Sequence, residues 1–307
     1  MGDVMGIILP IVIILGLGYY CRRQGILTAQ GVEGIKTVSI KFLWPMVLFY
    51  AFFTANYGRE TILYAALNFF TNLIAFLIGL LIRKSGPSHA FSYPYLLSGF
   101  ETGMIGYAMY TLLFGADKIS YLALLDVGHA LFIFPIFLTY LNMEQDQGDL
   151  KSSLKDMMKS AIMIALIVGM VSGITGFGRL VMGSWAGAVI DKLYSLVSSA
   201  NVVMILIVMG YGISFSLSQL KESARVILIR MAIMLGCTLG SLWILRSFAQ
   251  LNVYLACAVI LTYIMPPVYM LAVYVKDPEE NEFMSTTSSV YTLLSIAAFL
   301  IMCLAVG

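Results

Sequence analysis

The chain has 307 residues, of which 60% are hydrophobic and only 11% charged, with a formal net charge of +2. That makeup excludes an ordinary soluble domain, which carries roughly twice as many charged residues. It also excludes a nucleic-acid binder, because the basic residues are scattered between apolar runs and gather into no stripe.

A membrane span needs about 20 mostly apolar residues, and windows of about 19 residues between charges locate such spans. They predict ten helices, at 4–21, 35–54, 61–82, 91–115, 119–142, 160–178, 194–216, 226–245, 251–275 and 283–306. Connections between them are short and leave no room for a sizeable soluble domain. The first run has no basic residue before it and no small-residue cleavage site after it, so it reads as a retained span and not as a secretory signal. Cys21, Cys237, Cys257 and Cys303 lie in or at the ends of apolar runs, with no CxxC spacing and no histidine cluster. They read as small core residues, and no cofactor or metal is expected.

Lys and Arg are retained on the cytoplasmic side of a membrane protein. Placing Arg22, Arg23, Lys36, Lys41, Arg83, Lys84, Lys151, Lys155, Lys159, Lys221, Arg225, Arg230 and Lys276 inside leaves Arg59, Lys118, Arg179, Lys192 and Arg246 outside. Both termini are then outside, as an even number of spans requires, and the expected location is the cell (inner) membrane. The most polar connection, EQDQGDLKSSLKDMMK at 144–159, falls near the middle of the chain. It divides a first five-helix repeat, 1–143, from a second, 159–307, with 144–158 as a cytoplasmic linker. Five is odd, so the two repeats are expected to be inverted, an all-α plan common among secondary transporters.

In such folds, interrupted helices at matching positions point to the binding site. The fourth span, YPYLLSGFETGMIGYAMYTLLFG, carries Gly99, Gly103 and Gly106 around Glu101. The ninth span, fourth in its own repeat, reads LACAVILTYIMPPVYMLAVYV, with Pro266 and Pro267 at its centre. Glycine makes non-helical backbone cheap, and tandem proline removes two donors. Spans four and nine are therefore expected to be broken and to cross, lining a polar site with their freed backbone groups. The blander reading is that the glycines serve close packing and the prolines only kink. The coincidence of position weighs against it.

At these residues the chain resembles the auxin efflux carrier family, which includes bacterial malate permeases. ILPIVIILGLGYYCRRQGIL is similar to the family's first span and basic turn, and FLWPMVLF to its proline-containing second span. ETGMIGYAMYTLLFG with LALLDVGHALFIF is similar to the fourth and fifth spans, and ILIVMGYGISF, the MPP segment and VKDPEENEFMSTTSSVYTLLSI to the seventh, ninth and tenth. The resemblance implies a ten-helix inverted-repeat fold similar to bile-acid sodium symporters. Spans one, two, six and seven would be a scaffold, the rest a moving transport domain, and the protein a dimer. It implies export or exchange of a small organic anion, commonly a carboxylate. The family usually has Asn at the place of Glu101 and Pro at that of Ala108, and often Asn at that of Lys41.

Ionisable groups deep in a membrane cost several kcal/mol, so each is a site hypothesis. The candidates are Lys41, Glu101, Asp126 and His129. Glu101 is about ten residues into its span, roughly 15 Å deep at 1.5 Å per residue. A compensating pair of Lys41 with Glu101 is expected, the lysine supplying a charge that sodium or a proton would otherwise bring. Asp126 and His129 are three residues apart on one helix face and could relay protons, or make an ordinary hydrogen bond. The expected substrate or ion site comprises Glu101, Thr102, Gly103, Gly106, Asp126, His129, Asn201, Tyr263, Pro266 and Pro267, with Lys41 as charge partner. Tyr211, Thr262 and the Ser/Thr cluster at 285–289 are lesser candidates, more often bonded to helix backbone. Trp44, Trp185 and Trp243 read as interface markers.

The reading is a secondary transporter of a small organic anion by alternating access, elevator-like, with a proton or sodium as coupling ion and lipid around it. The alternative is a sodium- or proton-coupled cation transporter or antiporter on the same fold. An enzyme is not expected: no GxSxG, HExxH or paired-histidine spacing occurs, and the only histidines are His89 and His129.

Overall fold

The computed structural model describes residues 2–55, 57–115, 118–146, 155, 158–212, 218–249, 251–268, 271 and 275–306. Among them every regular element is helical: α1 (Gly2–Arg23), α2 (Ala29–Val38), α3 (Trp44–Thr54), α4 (Arg59–Arg83), α5 (Tyr93–Leu97), α6 (Tyr107–Phe114), α7 (Ser120–Phe132), α8 (Thr139–Asp146), α9 (Ala161–Ile174), α10 (Phe177–Met182), α11 (Trp185–Gly212), α12 (Leu220–Phe248), α13 (Val253–Ile264) and α14 (Pro278–Val306). A three-residue 3-10 turn, Ala90–Ser92, leads into α5.

Helix starts follow from local chemistry. Thr28 accepts from the Gly31 amide, Ser160 from that of Met163 and Asn252 from that of Leu255, each side chain satisfying one of the amides that a first turn leaves open. Asp277 accepts from the amides of Glu279 and Glu280, with Pro278 at the first helical position. The tenth predicted span therefore begins five residues early, with its acidic residues inside the helix.

Two prolines explain two widened turns. Pro45 follows the π-helical turn Ser39–Leu43, which joins α2 to α3, and Pro135 sits within Ile133–Leu138, which joins α7 to α8. A proline ring collides with the carbonyl four residues back and offers no amide, and a turn widened by one residue absorbs both defects.

Among the described residues, six helical runs are long and apolar enough to cross a membrane: Ala29–Thr54, Arg59–Arg83, Ser120–Gln145, Trp185–Gly212, Leu220–Phe248 and Pro278–Val306. Ala161–Ile174 and Val253–Ile264 are apolar but shorter. The fourth predicted span is interrupted, and the ninth ends its helix at Ile264, with residues 269, 270 and 272–274 outside the described set. Most of the 144–158 linker also lies outside it.

The closest helix pairs are α1 with α11, α3 with α9, and α4 with α7. A glycine sits in each seam. A Cβ on Gly210 would lie 2.0 Å from the Leu15 carbonyl oxygen, one on Gly173 2.5 Å from that of Phe52, and one on Gly128 1.8 Å from that of Ala65. Small residues let apolar helices approach closely where lipid offers no hydrophobic drive for association. Contacts then sort the helices into two groups. Helices α1, α2, α3, α9, α10 and α11 pack chiefly on one another, and α4, α5, α7, α12, α13 and α14 do likewise. The groups meet where α3 touches α7, where α1 touches α14, and where α3 and α11 touch the π-helical turn Thr102–Gly106.

Candidate functional site: two crossed interruptions

Between α5 and the Thr102–Gly106 turn the chain leaves the helix at Ser98–Glu101, and beyond α13 it leaves it at Met265–Val268. The two interruptions touch. The Glu101 amide donates to the Pro266 carbonyl oxygen at 2.9 Å. Gly99 turns the chain with φ +70°, and a Cβ there would lie 2.7 Å from the Val268 side chain. Glycine is required at that position on both counts.

Buried amides that leave a helix need new acceptors. The Gly99 amide donates to Asn72 Oδ1 at 2.9 Å, and the Phe100 amide to His129 Nε2 at 3.0 Å. Asn72 is fixed by α4, its Nδ2 donating to the carbonyl and side-chain oxygens of Asn68, and Asn68 Nδ2 donates to the Leu125 carbonyl of α7. Three successive amides are thus accepted by three different elements. The freed carbonyls are met from α12. Arg230 Nη1 donates to Leu96 O at 2.8 Å and Ser98 O at 3.3 Å, and Nη2 to Gly99 O at 2.7 Å and Met265 O at 3.1 Å. Ser295 Oγ of α14 donates to Ile264 O at 2.6 Å.

Glu101 is 2% exposed and opens the helical turn that follows, its carbonyl accepting from Ile105 and Gly106. His129 and Asp126 face it across a cavity of about 30 Å³, lined also by Trp44, Gly103 and Val268. That space admits a water or a small ion, and is far below the several hundred Å³ of an organic ligand site. Because His129 Nε2 accepts the Phe100 amide, its proton sits on Nδ1 and is donated to Asp126 Oδ1 at 2.9 Å. Tyr107 donates to the other Asp126 oxygen at 3.1 Å. A second proton on His129 has to go to Nε2, where it displaces the Phe100 amide. Protonation of this imidazole is therefore mechanically tied to the interruption.

Trp44 closes on the turn: a Cβ on Gly103 would fall 2.3 Å from its ring. Its indole Nε1 and the Thr102 hydroxyl are buried without a hydrogen-bond partner among the described residues.

Of the predicted site residues, Glu101, Thr102, Gly103, Gly106, Asp126, His129, Pro266 and Pro267 come together at the crossing. Tyr263 is next to it but turned away, its hydroxyl shared between Thr71 and Ser241. Asn201 lies apart in α11, accepting from Ser39. Thr262 and Ser289 bond their own helix backbone, as lone polar residues commonly do.

Other expected residues are placed as follows. Lys41 is exposed, whereas Glu101 is buried. Ser39 points inward to Asn201, and a residue two further along a helix faces nearly the opposite way. Lys36, three residues before Ser39, lies 3.8 Å from Glu33. Arg230, expected in the span 226–245 toward the cytoplasmic side, lies in α12 and is 1% exposed. Trp44 is buried at the crossing, whereas Trp185 and Trp243 are 83% and 69% exposed, as interface residues would be.

Sequence reading missed Arg230, Asn68 and Asn72. The two asparagines lie four apart in an otherwise apolar span, the one signal available.

No family model matches the chain. An uncharacterized transporter of Methanocaldococcus jannaschii is 25% identical over 224 residues, which cover 71% of this chain and 70% of that protein.

Proposed function

We propose that the protein is a secondary transporter of the auxin efflux carrier type, moving a small organic anion through the crossed interruptions. The observation that carries this reading is the hydrogen bond from the Glu101 amide to the Pro266 carbonyl, which joins two interrupted apolar helices inside a helical membrane bundle. Irregular backbone at membrane depth is tolerated where it is buried in protein or lines a polar pathway. The similarity to an archaeal transporter supports a carrier in general. The anion is supported by two unmet donors beside the crossing, the indole of Trp44 and the hydroxyl of Thr102.

The mechanism that fits is alternating access by sliding. The helices around the crossing form one packing group, and α3, α9 and α11 offer them a wall. The 30 Å³ cavity is too small for the anion in this form, and displacement along the wall would widen it and open it to either side.

One observation favours the second reading, a sodium- or proton-coupled cation transporter. The cavity is lined by two acids, Glu101 and Asp126, and such a pair repels a carboxylate unless a proton or cation comes with it. Both readings are tested in proteoliposomes. Carboxylate uptake driven by an imposed pH or sodium gradient is expected; ion flux with no response to any carboxylate would replace the anion by the cation, and neither flux would end the carrier reading.

A further inference from the structure

Arg230 is the largest fully buried side chain among the described residues. Its guanidinium meets four carbonyl oxygens between 2.7 and 3.3 Å, one from the last turn of α5, two from the first interruption and one from the second. The rings of Phe100 and Tyr291 lie 5.4 and 5.1 Å from its Cζ. Carbonyls released at two helix ends and converging with aromatic faces form a cage for a cation. The occupant here is covalently tethered. Each terminal nitrogen bridges two carbonyls, a fork that a single ammonium or a spherical ion cannot reproduce.

We propose that Arg230 is a built-in cation, which locks the two interruptions into one body and takes the place of a bound metal ion at that side of the crossing. The helices then cross with the same geometry whether or not a coupling ion is present, and any coupling ion is confined to the opposite, acidic side at Glu101 and Asp126. Arg230 is a positioning residue: it touches neither the cavity nor a solute. The consequence for coupling rests on the carrier reading, whereas the cage itself does not.

The test uses the purified full chain in detergent, with unfolding midpoints measured in choline, sodium, potassium and low-millimolar guanidinium chloride at constant ionic strength. Wild type is expected to be indifferent to the cation. R230A should lose on the order of 10 °C, as for a broken buried charge network, and guanidinium should return at least half of that loss. A loss that no cation restores, or an R230M variant as stable as wild type, would overturn the proposal by reducing the residue to packing. Should R230A fail to fold, R230K and R230Q decide: lysine, which keeps the charge, is expected to be the more stable, and glutamine equal to it or better overturns the cage. These midpoints do not depend on transport, so a protein that proves not to be a carrier leaves the outcome readable.

Discussion

The two interruptions reach the same end by opposite chemistry. The glycine interruption keeps its amides and so needs acceptors, which Asn72, His129 and Pro266 supply from three elements. The proline interruption has no amide at 266 or 267 to satisfy, and offers carbonyls instead. One is short of acceptors and the other has them spare, which is why the Glu101 amide and the Pro266 carbonyl pair. The contrast teaches that damage to the glycine side should cost far more than damage to the proline side.

The largest expected effect is at Gly99. G99A forces a side chain into the left-handed region, costing about 1–2 kcal/mol, and drives it into Val268, so the folded yield should collapse. N72L comes next, leaving the Gly99 amide buried and unaccepted; a loss of about 1–3 kcal/mol and of transport is expected, read by thermal unfolding and uptake. H129Q separates acceptor from proton carrier. It should hold the fold within about 1.5 kcal/mol while flattening the pH profile of uptake, and a profile unchanged from wild type would remove His129 from any proton path. P267A restores an amide where proline had none and should cost less than about 1 kcal/mol, because the Pro266 carbonyl remains to pair. Should P267A prove as damaging as N72L, the asymmetry fails. The smallest effect is at Lys41, which is exposed: K41A should leave uptake unchanged.

How much of this was legible in the sequence varied with the physics involved. Both interruptions were, because glycine and tandem proline act on the backbone locally. So was the Asp126 and His129 pair, whose three-residue spacing fixes a shared helix face. The role of Arg230 was not legible, although the residue falls inside the predicted span 226–245. Hydropathy counts arginine only as a cost to a span, whereas a guanidinium facing four carbonyls is solvated by backbone and can sit mid-helix. The predicted limits erred where charged residues are helical: α11 starts at Trp185 and α14 at Pro278, both ahead of the apolar windows.

The contact of Trp44 with Gly103 has a mechanical meaning. With no side chain at Gly103, the indole meets bare backbone and no tooth stands between them. On the sliding mechanism proposed above, position 103 is clearance, and a methyl group placed there becomes a pawl. G103A would then hold the protein in one stop of its stroke, with solute bound normally and turnover arrested.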